Sequence, residues 1–240
     1  MAYRSSTTTS FSGTTVLTAT APAGVVAGDR LLAGVAVDGT ITVTPATNWT
    51  NIGSTLSMTV PDTQGHSLHE KKVATGSDLY NFVGSSVAGA IIQVVCLSNR
   101  HATTAAVIGE TNPNTGNVSP FTMTLTGVTA AQDDDIIAFS EINGSAQTDT
   151  WGTDSPTNYT ERHDAANSDW VCAETNTRDN VSAGATGSLT MTATIIVGTN
   201  NAGYSAFVVA VPSASTSVNT GLPDNRIYYT KTFGAGGLRA

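Results

Sequence analysis

Several ingredients are scarce in this chain. Two of its 240 residues are cysteine, 6% are aromatic, and 12% are Asp, Glu, Lys or Arg. No apolar run approaches the ~18 residues from which a membrane-spanning helix is read. Lys and Arg number 10 against 18 Asp and Glu, a net charge of −8. Nucleic-acid binding needs a basic stripe that displaces counterions from phosphates, and no such stripe is present, so that class is disfavoured. The N-terminal "MAYRSSTTTSFSG" has no apolar stretch behind it, so no signal peptide is legible and synthesis in, and release into, a cytoplasm are expected. Cys96 in "IIQVVCLS" and Cys172 in "DWVCAE" read as small buried hydrophobes rather than as a disulfide pair.

Threonine supplies 40 positions, glycine 23, and 40% of the residues are hydrophobic. Thr and Val favour strands, Gly serves turns, and helix formers such as Leu, Glu and Lys are few. Period-two alternation recurs, as in "TTVLTATAP" and "GDRLLAGVAVDG", with turn signals at short intervals. The expectation is all-β, a jelly-roll-like sandwich. "AGAIIQVVCLS" reads as a central strand, and the polar "HSLHEKKVAT" as an edge strand or a solvated face.

The chain also repeats itself. "AGDRLLAGVAVDG" is echoed by "QDDDIIAFSEING", matching Asp29 to Asp135. Asn48-Trp49-Thr50 is echoed by Asn158-Tyr159-Thr160, and Ala88-Gly89 by Ala202-Gly203. Three landmarks in one order point to two related halves, about 14–100 and 120–212, that together form a sandwich spanning 14–212. Residues 1–13 are expected to form an N-terminal arm, and 213–240 a linker and C-terminal arm.

No catalytic centre and no cofactor are expected. His66 and His69 are the most metal-like pair, but three-residue spacing on a strand sends the rings to opposite faces. Asp133-Asp134-Asp135 lacks the alternating oxygen ligands and the glycine bend of a calcium loop and reads as a solvated turn. No nucleophile elbow or phosphate loop occurs. Trp49 and Tyr159, matched in both halves, read as plugs at the sandwich edge. The unmatched Trp151 and Trp170 are the candidate glycan contacts.

"APAGVVAGDRLLAGVAVDG", "TPATNWTNIG", "KKVATGSD" and "AGAIIQVVCLSN" together resemble bacteriophage virion structural proteins. These carry a Pro-Ala-Gly-x-x-x-Gly-Asp lead-in, a Gly-Trp-Thr-like turn and a closing apolar strand; Asn48 stands here in place of the turn glycine. The resemblance, over about residues 14–212, implies a β-sandwich component of the virion and names no catalytic residue. The expected function is an external head decoration or cement protein, with a tail-fibre or tail-tip carbohydrate-binding module as the alternative. Expected partners are other virion proteins of capsid or tail, further copies of the chain, and, on the alternative, a host surface glycan; no nucleic acid or membrane is expected. The arms would carry assembly through Tyr3, Phe11, Arg226, Ile227, Tyr228, Tyr229, Lys231 and Phe233.

Overall fold

The structure is a computed structural model; it describes residues 3–39, 42–59, 63–72, 74, 79–84, 88–116, 121–143, 150–151, 158–166, 171–194 and 202–214. All regular structure among these residues is β, in antiparallel sheets. The first large sheet holds β1 (Tyr3–Ser12), β3 (Arg30–Asp38), β5 (Thr50–Asn51), β6 (Leu56–Met58), β7 (Gln64–Lys71) and β9 (Gly89–Leu97), in the order β1-β9-β3-β7-β5 with β6 also on β7. A smaller sheet, β2-β8-β4, is built from β2 (Val16–Thr20), β4 (Val43–Thr44) and β8 (Leu79–Gly84).

The second large sheet runs β10-β19-β13-β16-β15, from β10 (Val107–Gly116), β13 (Asp134–Asn143), β15 (Thr160–Ala166), β16 (Val171–Val181) and β19 (Ala202–Val211). Its small sheet is β11-β18-β14, from β11 (Phe121–Leu125), β14 (Thr150–Trp151) and β18 (Leu189–Thr194). A two-stranded ribbon pairs β12 (Thr129–Ala130) with β17 (Gly184–Ala185). Apart from β6 and this ribbon, the strand order of the first half recurs, strand for strand, in the second.

Alternation explains the layering. On β3, Leu31, Ala33, Val35 and Val37 turn outward and meet Leu17, Val43, Tyr80 and Phe82 of the first small sheet. On β13, Ile136, Ala138 and Ile142 meet Met123, Leu125 and Met191 of the second. The opposite faces of the two large sheets pack on each other through Leu32, Leu68, Val95, Ile137, Phe139, Phe207 and Val209. The molecule is therefore four sheets deep, with a central seam between the large ones. Strands buried on both faces read as near-continuous apolar runs, as β9 does.

The ladders fix which residues correspond. Arg30 pairs with Leu97 and Asp135 with Val211; Leu31 pairs with Lys71 and Ile136 with Arg178. The match read from sequence is thereby shifted by one: Asp29 corresponds to Asp134. Each of these two carboxylates accepts the backbone N–H three residues earlier, Val26 at 2.9 Å and Ala131 at 2.8 Å. Asn48 and Asn158 also correspond, with φ of 65° and 71°. Asn tolerates this left-handed region better than most residues. Trp49 and Tyr159 then turn inward against the cores of their own halves, and Thr50 and Thr160 open the strands β5 and β15.

Three expectations are corrected. Residues 3–12 are not an arm: β1 pairs with β9 along its length, because a Thr- and Ser-rich segment is a competent edge strand. The polar segment at 64–71 is not solvated; β7 is buried throughout and lies inside the sheet. Asp134 and Asp135 are also buried, so the acidic triplet is not a solvated turn.

Candidate functional site

Several chemistry-bearing side chains of the described residues lie in the seam and at its ends. β7 delivers His66 and Glu70 to the seam and His69 to the outer core, as period-two alternation requires. The His66 ring stands edge-on to Phe207 at 4.7 Å between centroids, and His69 leans on Phe82 at 5.2 Å. The two imidazoles are on opposite faces of one sheet and cannot share a metal ion.

His66 has two polar neighbours from the second half. Its Nδ1 lies 3.3 Å from Ser205 Oγ and 3.8 Å from Glu141 Oε2, and the Ser205 hydroxyl donates to Glu141 Oε2 at 3.5 Å. Serine, histidine and glutamate in one cluster invite comparison with a hydrolase. The geometry argues otherwise. A catalytic relay has the nucleophile on one ring nitrogen and the acid on the other; here both address Nδ1. All three side chains are at most 2% exposed, so no substrate reaches the hydroxyl. Burial pushes His66 down to about 3 and raises Glu141 well above the usual carboxylate range. Both groups are held neutral, which is how a closed interior tolerates them.

The rest of the seam is tied by polar bonds, some between the halves and some within one. Gln93 donates to the Ala173 carbonyl at 3.0 Å and accepts from the Thr175 hydroxyl at 2.6 Å. Arg30 holds Glu70 through Nε and Nη2, and its Nη1 donates to the His101 carbonyl at 3.1 Å. Arg100 faces Asp135 at 3.4 Å and donates to the Asp133 carbonyl at 2.8 Å. Burial raises the Asp135 carboxyl to about 6, against the N–H of Asn180, which it accepts at 2.9 Å. None of these partners was visible in sequence. The signal for them was a charged residue inside an apolar strand pattern, as at Arg30, Asp135 and Glu141.

The expected site residues fare differently. Tyr3 lies under the Arg162 guanidinium at 3.6 Å from its ring centroid, and packs at the margin of the seam. Phe11 packs against the first outer core. Both hold β1 to its own molecule. The backbone of Trp151 pairs with Ala193 in the second small sheet. Trp170, Arg226, Ile227, Tyr228, Tyr229, Lys231 and Phe233 lie outside the described residues. Cys96 belongs to the first outer core and Cys172 to the second, so the two thiols do not pair with each other.

Two clefts flank the connector between the halves. One, of 390 Å³, has His101, Gln132, Asp134 and Pro212 among its lining residues. The His101 Nδ1 there is already engaged, accepting the N–H of Thr103 at 3.3 Å and of Thr104 at 3.1 Å. The other, of 320 Å³, lies between Ile52 and Ala106, with Glu70 and Lys72 beside them. Lys72 donates to the Thr103 carbonyl at 3.2 Å. In the first cleft the Thr104 hydroxyl also lies 2.9 Å from His101 Nδ1, a local turn contact on a nitrogen shared with the two backbone N–H groups.

The lead-in Pro22-Ala23-Gly24 to Gly28-Asp29, which carries the resemblance, is a clamped loop. Ser5 donates to the Ala23 carbonyl at 2.6 Å, Gly28 takes φ of 95°, and Asp29 holds Arg4 at 2.8 Å and the Cys96 thiol at 3.3 Å. Burial pushes that thiol up to about 12. Compared with known protein families, curated proteins and solved structures, the chain matches none.

Proposed function

We propose that the chain is a structural protein of a bacteriophage virion, an external head decoration or cement protein, built from two related jelly-roll-like halves. The observation that carries this reading is the seam. Its buried polar groups Gln93, His66, Glu141, Arg100 and Asp135 are engaged across the halves, which leaves the outside of the molecule to act by shape and contact. A low-charge, Thr-rich chain whose regular structure among the described residues is all β suits repeated packing on other subunits. The lead-in that resembles virion proteins acts in the same sense, since it clamps the first strand rather than presenting a reactive group. The recurrence of strand order, together with the paired Asp29/Asp134 and Asn48/Asn158 turns, supports the relation between the halves.

On this reading the partners are capsid proteins and further copies of the chain, and attachment runs through residues 215–240, with Arg226 to Phe233 as the contact segment. The test is quantitative mass spectrometry of purified particles. A decoration protein is present in hundreds of copies and is lost from particles on removal of residues 215–240, while the truncated protein keeps its Tm. A few copies per particle, with selective binding on a glycan array, would instead favour the tail-tip module. Absence from particles would overturn both.

A further inference from the structure

The contacts across the seam are reciprocal. Ladder register makes Gln93 and Phe207 corresponding positions, and likewise His66 and Ala173, and Leu68 and Thr175. Gln93 of the first half engages Ala173 and Thr175 of the second. Phe207 of the second half engages His66 of the first and packs in the same cluster as Leu68. Each contact thus occurs twice with the halves exchanged. The strand edges agree: β1 lies beside β15, and β10 lies beside β6, next to β5. Such mutual exchange is the mark of an isologous interface, ordinarily found between two identical subunits.

One pair of corresponding positions meets itself. Gly34 and Phe139 occupy the same place in β3 and β13, and the Phe139 ring lies on the Gly34 backbone. A Cβ at position 34 would be 2.6 Å from Cδ1 of that ring. We propose that the seam is an isologous interface contained within one chain, its two large sheets meeting across an internal two-fold axis that passes between Gly34 and Phe139. Each sheet fits the other half and not a copy of itself. The inference rests on the relation between the halves described above.

Two features make the mating selective. The first is steric: a second half facing a second half would set Phe139 against Phe139, and a first half facing a first half would leave a gap at Gly34. Overpacking and cavities both destabilise a core. The second is polarity. Near one end Ala36 and Ile91 of the first half pack with Val171 and Ala173 of the second. By the same register, the corresponding place at the other end sets Glu141 and Ser205 of the second half on Gln64 and His66 of the first. Pairing first halves alone would put Ala36 and Ile91 on His66 and Gln64. Pairing second halves alone would set Glu141 against Val171 and Ala173. Each buries a polar group with an apolar partner, which disfavours that pairing.

The decisive experiment exchanges the knob and the hole in the full-length protein. Gly34→Phe alone should lower Tm sharply or prevent folding, and Phe139→Gly alone should lower it by opening a cavity. The double variant Gly34→Phe/Phe139→Gly should fold and recover most of the Tm lost by Gly34→Phe, because across a two-fold axis the exchanged pair meets in the same way from the other side. A double variant that melts no higher than the worse single variant overturns the inference. A second measurement does not depend on those variants folding. With a protease site placed in the exposed stretch 102–105 of the otherwise unchanged chain, the two cut fragments should co-elute at native pH. Separation of the fragments would also overturn the inference. Neither measurement uses particles, so failure here is distinct from failure of the virion reading.

Discussion

Arg30 and Asp135 occupy the same position in their two halves and carry opposite charges. Each is buried in the seam, and each takes its counter-ion from a different place. Arg30 uses Glu70 of its own sheet, and Asp135 uses Arg100 from the connector. Breaking such a pair leaves a charge without compensation, whereas replacing both members by apolar residues need not. Arg30→Met should therefore cost about 3–5 kcal/mol in urea unfolding. Arg30→Met/Glu70→Leu should recover most of that loss. A single variant as stable as the parent would show that Glu70 has another way to be satisfied.

The matched turn residues make a backbone prediction. Asn48 and Asn158 both sit at positive φ, where Ala is strained and Gly is not. Ala at either site should cost about 1 kcal/mol or more, and Gly distinctly less. Chemical denaturation of the four single variants checks this, and equal losses for Ala and Gly would refute it.

Stability should depend on pH through Glu174. This buried carboxyl is pushed up to about 8 by burial, against the Asn176 amide that donates to it at 2.6 Å. The folded protein thus keeps a proton that the unfolded chain has released, so stability falls as pH rises from about 4.5. The loss levels off once the folded carboxyl ionises near 8. It can reach about 1.4 kcal/mol for each pH unit in that window. Glu174→Gln should match the parent near pH 4.5 and exceed it at pH 8. Histidine acts with the opposite sign. His66 and His69, lowered to about 3 and 4 by burial, make stability fall as pH drops below 6.5, where the unfolded chain takes up protons first.

Thiol chemistry gives a further check. Cys96 is buried and its pKa is pushed up to about 12, so little thiolate exists at neutral pH. Ellman's reagent should leave the native protein essentially unlabelled and titrate both thiols after denaturation. Rapid native labelling of Cys96 would contradict its burial.

Removing residues 1–12 tests the corrected reading of the N-terminus. It strips the strand paired to β9 from Tyr3 to Ser12, takes Phe11 from the first outer core and lifts Tyr3 from Arg162. The truncated protein should lose several degrees of Tm and tend to associate through the bared edge of β9. An unchanged Tm would restore the picture of a dispensable arm.

The all-β class was legible because Thr, Val and period-two alternation recur along the chain. The Asn-aromatic-Thr triplets fall at turns of like φ that lead into β5 and β15, and the apolar run of β9 marks a strand buried on both faces. What escaped notice did so for physical reasons. Asp133, Asp134 and Asp135 are adjacent and identical, and it takes the strand register and the hydrogen bond to Ala131 to place Asp134 opposite Asp29. Polar residues in β7 look like a solvated face, because sequence cannot distinguish water from a second sheet carrying Glu141 and Ser205. The N-terminal threonines look like a tail until a partner strand is known. The cluster of His66, Glu141 and Ser205 draws on residues far apart in the chain, and no local pattern brings them together.

The Gly34–Phe139 contact also bears on how such a molecule can change. In an assembly of identical chains, any substitution on the axis arrives twice, face to face, and must be compatible with itself. Within a single chain it arrives once, and only the opposite residue has to accommodate it. The tether also keeps the two faces at high effective concentration, so their union does not weaken on dilution. Position 139 can therefore hold a ring that rests on a glycine instead of meeting its own copy, and the two outer sheets are free to diverge toward different neighbours.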